Sequence, residues 1–313
     1  SETPPARRAF KARTIFGCRA QPCPPEALAS RAALRHLAAM RRILLVPLLI
    51  LVALGLFGYA GGRQQPKVVR YDVALPNWPA GQAPLRIVQL SDLHGSWLDM
   101  PPDRISGIVA QVNALRPDVV VLTGDYIGGK WFDWPHIRLE EFTDRLGRLQ
   151  ARYGVYAVVG NHDTRTWTRW AFDRAGIHTL INQHADIGPV IIAGLDDATN
   201  VGNTAVALRT LVAQAQGDKP LLVLAHEPDY FQYGSAAIDL MIAGHTHGGQ
   251  IKLPLVGAKS LGPFLDSHLR GLFYESSRWL VVSSGLGTSI VPMRIGVRPE
   301  IVVITISGAP QGR

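Results

Sequence analysis

Five short strings between residues 91 and 247 bring together the residue types that hold divalent cations: Ser91-Asp92-Leu93-His94, Gly124-Asp125, Gly160-Asn161-His162-Asp163, Ala225-His226 and Gly244-His245-Thr246-His247. They offer Asp92, His94, Asp125, Asn161, His226, His245 and His247 as donors, with no cysteine among them. The lack of thiolates argues against soft-metal and closed structural zinc sites. Mixed carboxylate, imidazole and amide donors suit manganese, iron or catalytic zinc, and manganese is favoured. Seven donors exceed the needs of one ion. If Asp125 bridges, two ions could stand roughly 3.5 to 4 Å apart, the spacing used for in-line displacement at phosphorus. Two divalent cations with two aspartates leave a formal charge of about +2, which attracts an anion. Such a centre also lowers the pKa of a bound water toward ~7 and so supplies hydroxide near neutral pH. Taken singly, the strings have plainer explanations: a lone histidine is more often a hydrogen-bonded core residue, and Gly124-Asp125 could be an ordinary turn. It is their joint occurrence, in order, that carries the reading.

The strings need elements to position them. Apolar runs at 85–90, 119–122, 155–159, 221–224 and 240–243 each precede one string and end at a turn signal, so each reads as a strand. The segment 103–115 has apolar residues at helical spacing (105, 108, 109, 112 and 115) and closes at Arg116-Pro117. Further helices are expected at 140–153 and 166–175, with Trp167 and Trp170 facing the core. Strands alternating with helices imply a largely parallel sheet, whose ligands gather beyond the carboxyl ends of the strands. All five strings fall at such ends.

On these motifs the chain resembles the calcineurin-like metallophosphoesterases, whose run is D-x-H, G-D, G-N-H-D/E, H and G-H-x-H. The resemblance covers residues 70–306. The stretch from Ala243-Gly244-His245-Thr246-His247-Gly248-Gly249-Gln250 to Ile251-Lys252-Leu253-Pro254 is similar to the membrane-anchored bacterial YaeI/YkuE-type branch, as are Ser284-Gly285-Leu286-Gly287, Pro292-Met293-Arg294 and Pro299-Glu300-Ile301. The resemblance implies an α/β fold, a four-layer α/β/β/α sandwich, adding a second sheet that periodicity does not reveal. It also implies that Asp92, His94, Asp125 and His247 hold one metal, and Asp125, Asn161, His226 and His245 the other. His162 would be the catalytic histidine, next to a metal ligand but not itself one, acting on the leaving group or the developing phosphoryl charge. Several relatives place an acidic residue three positions after the bridging aspartate to orient that histidine. Here the position is Gly128, which leaves Asp133, Asp163 or no partner at all.

The remaining sequence bounds where such an enzyme would work. Residues 43–60 are apolar and uncharged, long enough to span a bilayer. Segment 1–42 carries nine Lys/Arg against Glu2 and Glu26, so +7 of the chain's net +8 precedes the span. Basic flanks stay cytoplasmic, which predicts a single-pass anchor in a bacterial inner membrane with the catalytic domain outside. A cleaved signal peptide ending near Gly58-Tyr59-Ala60 is the rival, and a start at Met40 is a further alternative. The expected organisation is a disordered basic segment (1–42), an anchor (43–60), a linker (61–67), a metallophosphoesterase domain (68–307) and a disordered tail (308–313). Cys18 and Cys23 both precede the span, so the domain needs no oxidative folding. That domain is nearly neutral and shows no Lys/Arg cluster, which speaks against nucleic acid. No protein partner is evident. Trp131-Phe132-Asp133-Trp134-Pro135 forms an aromatic cluster near the site, either packed on the domain or serving as a lip for acyl chains. The expectation is a dimetal phosphohydrolase of a phosphodiester or pyrophosphate substrate, lipid-linked in the favoured reading. Alternatives are monoesters, soluble nucleotides, cell-wall polymer or a non-catalytic scaffold. An amidohydrolase would open with His-x-His, whereas this chain opens with Asp92-x-His94.

Overall fold

Short apolar strands can be buried on both faces only inside a stack of layers, and the alternation of side chains shows which layers these are. The computed structural model describes residues 25–133, 137–215, 217–252, 257, 258, 265 and 267–309. In β2 (Leu85–Leu90), Ile87 joins one apolar cluster while Val88 and Leu90 join another. In β3 (Val119–Thr123), Val119 and Val121 oppose Val120 and Leu122 in the same way. The first sheet adds β1 (Lys67–Leu75), β4 (Val155–Val158), β5 (His178–Thr179) and β12 (Glu300–Gly308), in the order β1-β12-β2-β3-β4-β5. The second contains β6 (Gln183–Asp186), β7 (Ile191–Gly194), β8 (Leu221–Leu224), β9 (Leu240–Ala243), β10 (Gly271–Glu275) and β11 (Arg278–Val282), in the order β10-β11-β9-β8-β7-β6.

One cluster fills the space between the sheets, joining Ile87, Val121 and Ile304 to Leu222, Leu224 and Ile242. A second packs the outer face of the first sheet against α2 (Pro102–Ala114), α3 (Leu139–Leu146) and α4 (Arg165–Arg174), through Ile105, Phe142, Leu146 and Phe172. A third packs the second sheet against α5 (Thr204–Gln214) and a 3₁₀ turn at Pro228–Tyr233. The result is the four-layer α/β/β/α arrangement. Strands β2, β3 and β4 run parallel in one sheet and β7, β8, β9 and β11 in the other, so their carboxyl ends share a rim.

Several expectations are corrected. α1 (Pro25–Gly62) begins within the segment expected to be disordered, because 25–42 is rich in Ala, Leu and Arg, strong helix formers, with Pro tolerated in the first turn. The linker is correspondingly shorter, since α1 ends at Gly62 and β1 starts at Lys67; β12 reaches Gly308, into the expected tail. α3 stops at Leu146, before Gly147, rather than at 153. Trp167 (59 % exposed) and Trp170 (44 %) are not core residues: α4 buries Thr168, Ala171 and Phe172, and the two indoles meet edge to face at 5.7 Å on its outer side. Segment 1–24 with Cys18 and Cys23, then Trp134, Pro135, Leu253 and Pro254, and the tail from 310 onward, lie outside the described residues.

Contacts divide the described residues into two units, one up to Ala53 and one from Leu54 onward. Within α1, Met40–Gly62 has a mean hydropathy of 2.6 and is long enough to cross a membrane. At 1.5 Å per residue it spans roughly 35 Å, against about 30 Å of hydrocarbon.

Candidate metal centre

β2 and β3 deliver their strings side by side. Beyond the strand ends the loops stay paired, with Asp92 N donating to Gly124 O (3.1 Å), His94 N to Asp125 O (3.0 Å) and Gly95 N to Tyr126 O (2.7 Å). Asp92, His94, Asp125, His245 and His247 all have positive φ, between 43° and 69°. That is a sparsely populated region for non-glycine residues, and such strain collects at functional sites. Two glycines of the strings are required by close approach. A Cβ on Gly160 would fall on Asp125 Oδ1, and one on Gly244 would fall on Ser91 Oγ and 2.5 Å from Asp92 Oδ2.

The structure brings all seven candidate donors together. Asp92, His94, Asp125 and His247 each offer one atom within 4.8 Å of the others, and Asp125, His226 and His245 form a second such group. Asn161 Oδ1 joins the second, 3.0 Å from His226 Nε2 and 3.1 Å from His245 Nδ1. Asp125 belongs to both. Its Oδ2 lies 3.4 Å from His94 Nε2 and 3.2 Å from His226 Nε2.

Ring nitrogens crowd one another here: His94 Nε2 is 3.1 Å from His247 Nε2, and His226 Nε2 is 3.2 Å from His245 Nδ1. His94 Nδ1 donates to Gly128 O (2.8 Å) and His226 Nδ1 to Thr123 O (2.8 Å), which turns each Nε2 toward the centre. Gly128 thus gives its carbonyl to His94, not to His162. His247 differs, since its Nδ1 faces Arg294 Nη2 at 3.3 Å. Burial and the His226 charge push His245 down to about 3, and burial with His94 and Arg294 holds His247 well below its usual range. These imidazoles are neutral, the form that ligates. His226 goes the other way: against burial, Asp125 and Asp92 hold it well above the usual range. The negative field that does so is one a cation would answer. Buried and half-buried oxygen and nitrogen donors converging around a shared carboxylate therefore fit two divalent cations.

His162 stands apart. Its backbone N donates to Asp125 Oδ1 (3.0 Å), its ring meets His94 edge to face at 5.2 Å, and it lines a cavity of about 370 Å³ with Asp125, His245, Gln250 and Ile290. Of the two expected carboxylates, Asp163 directs both oxygens to backbone N–H groups, of Asp125 (2.8 Å), Gly160 (2.8 Å) and Tyr126 (2.9 Å). Burial and the Asp125 charge push its carboxyl up to about 7. Asp133 is buried and accepts from Ser96 Oγ at 2.8 Å.

The sequence reading missed several neighbours. Arg294 is 1 % exposed and donates to Gly287 O, Ser284 O and His247 O, tying the loop after β11 to the last string. Lys130 donates to His94 O (2.7 Å) and pairs with Asp99 at 3.3 Å. Arg294 stood in the string Pro292-Met293-Arg294 without its contacts being legible, and only the polarity of Lys130 hinted at it. Trp131 (74 % exposed) and Phe132 (75 %) do not pack on the domain. Trp131 N bonds Ile290 O at 3.1 Å, which sets the aromatic pair beside the cavity that Ile290 lines.

The sequence profile of the calcineurin-like phosphoesterases matches residues 85–249. Phosphodiesterase YaeI of Escherichia coli is 31 % identical, over 72 % of this chain and 83 % of its own length. Metallophosphoesterase YkuE of Bacillus subtilis is 30 % identical, over 73 % and 81 %. A "transmembrane protein with metallophosphoesterase domain" from Danio rerio is 30 % identical over 84 % of this chain, which spans only 62 % of that longer relative.

Proposed function

Because the chain belongs to the calcineurin-like phosphoesterase family, we propose that it is a dimetal phosphohydrolase cleaving a phosphodiester or pyrophosphate bond of a membrane-associated substrate. The observation that carries this reading is Asp125 Oδ2, 3.4 and 3.2 Å from imidazole nitrogens of two separate donor groups, where one oxygen can serve two cations. Asp92, His94, Asp125 and His247 would hold one cation, and Asp125, Asn161, His226 and His245 the other. With no thiolate in the set, manganese is the favoured metal. When bound, the pair supplies positive charge for the phosphoryl oxygens and the acidity that makes water a nucleophile near neutral pH.

The chain's own residues do the rest. His162, held by its backbone against Asp125 and lining the cavity, hands a proton to the departing oxygen or stabilises its charge. Asp163 and Arg294 fix the loops bearing the donors. The name of the E. coli relative, a phosphodiesterase, favours a diester over a monoester.

The membrane part of the reading rests on Met40–Gly62 and on the name of the Danio rerio relative. The basic residues before the span favour a domain on the outer side of a bacterial inner membrane. A short tether raises the effective concentration only of a substrate that is itself at the membrane. Exposed Trp131 and Phe132 beside the cavity suit a lipid-linked phosphate or pyrophosphate. The test is a screen of the full chain in detergent with Mn²⁺, comparing bis(p-nitrophenyl) phosphate, p-nitrophenyl phosphate and a lipid pyrophosphate. Turnover of the diester or the lipid well above the monoester is expected, and preference for the monoester would refute the assignment.

A further inference from the structure

A second cavity, of about 420 Å³, opens beside the last turns of α1, and its walls differ in character. On one side stands Phe57, 63 % exposed, within the apolar stretch Met40–Gly62. On the other stand Lys67, Arg270 and Arg298, with buried Arg294 behind them. The sequence shows no such cluster, because the fold assembles it from segments around 67, 270 and 298. β1 pairs with β12 so that Lys67 lies opposite Glu300.

Glu300 is the carboxylate facing this group. Its Oε1 accepts from Ser284 N (2.8 Å), and its Oε2 lies 3.2 Å from Lys67 Nζ and 3.7 Å from Arg270 Nη1. Arg298 donates to Gln65 O at 3.1 Å. Three solvent-reaching cations against one buried carboxylate leave surplus positive charge and free N–H donors, a combination that suits phosphate oxygens. Phe57 lies about 7.5 Å of helix rise before Gly62, where the apolar stretch ends and Arg63 follows. Basic pockets at the end of a membrane span match the level of lipid headgroups.

We propose that this cavity binds the phosphate of an anionic phospholipid, the headgroup between Lys67, Arg270 and Arg298 and the glycerol end against Phe57. The proposal rests on the reading of Met40–Gly62 as a membrane span. The chemistry shared with other ligands is a phosphate group, and the apolar wall is what selects a lipid over free phosphate.

The test uses the full chain in a neutral detergent. Binding of dioleoylphosphatidylglycerol, dioleoylphosphatidylcholine and inorganic phosphate is followed by native mass spectrometry and thermal shift, for wild type, Arg298→Gln, and the combined Lys67→Gln, Arg270→Gln, Arg298→Gln variant. The phosphatidylglycerol complex is expected at least ten-fold tighter than that of phosphatidylcholine, and at least ten-fold weaker in the combined variant. Arg298→Gln should show part of that loss. Its side chain is exposed with one bond to Gln65 O, so the variant keeps the proposal testable should the combined one not fold. Equal binding of the two lipids, or undiminished phosphatidylglycerol binding in a folded variant, would overturn the site. Inorganic phosphate stabilising the chain as much as phosphatidylglycerol would overturn the lipid assignment. A separate arm, flotation with pure phosphatidylcholine vesicles, reports on the span alone. A chain that binds phosphatidylglycerol selectively in micelles but does not float would refute the span and leave the cavity standing.

Discussion

Asp125 is the atom-scale hinge of this centre, since its Oδ2 reaches both donor groups while its Oδ1 accepts the His162 backbone N–H. Asp125→Asn is therefore expected to lower the content of both metals, whereas His226→Ala should lower one, as read by metal analysis of each purified variant. Equal metal loss in the two would remove the bridging role. His162 touches the cavity and belongs to neither cluster. His162→Ala should keep the wild-type metal content while kcat falls by roughly 10² to 10⁴, the usual worth of a positioned proton donor. Aryl esters with good leaving groups should lose less than alkyl esters, and equal losses would limit His162 to charge stabilisation.

At the scale of elements, the strands end in loops that hold five donor residues at positive φ, each costing roughly 1 to 2 kcal/mol against ordinary backbone. Pairing of the β2 and β3 loops offsets this, and so does Asp163, which clasps the loops after β3 and β4 through three backbone N–H groups. Asp163→Ala should leave the chain folded by circular dichroism but weaken Mn²⁺ binding by about 10- to 100-fold, the range for residues that orient ligands. Unchanged affinity would make Asp163 an ordinary turn residue. The strand-end strings were legible because each donor follows a local apolar run, as with Leu85–Leu90 before Asp92. The clasp was not, because Asp163 acts on residues of another loop. Arg294 and Glu300 stood in strings the sequence singled out, but their contacts were not legible. Arg294 bonds carbonyls of Gly287, Ser284 and His247. Glu300 starts β12, which lies between β1 and β2, and both are long-range arrangements with no local signature. Trp167 and Trp170 misled because their i, i+3 spacing marks a helix face without saying which way that face points.

For the whole molecule, the apolar stretch and the charge bias before it make orientation a separate question from chemistry. A periplasm-dependent reporter fused after Arg313 should be active, and a fusion active only in the cytoplasm would reverse the topology. If the aromatic pair meets lipid, Trp131→Ala with Phe132→Ala should lower kcat/KM on a vesicle-borne substrate and spare its soluble headgroup analogue; equal effects would remove the lip. Both rest on a working two-metal centre, which one titration addresses directly. The full chain, stripped by chelator, is given increasing Mn²⁺ while bound metal and phosphodiester turnover are read on the same sample. Turnover is expected to stay low until the second equivalent binds and to reach its plateau at two ions per chain. Full activity with a single ion per chain would contradict the account.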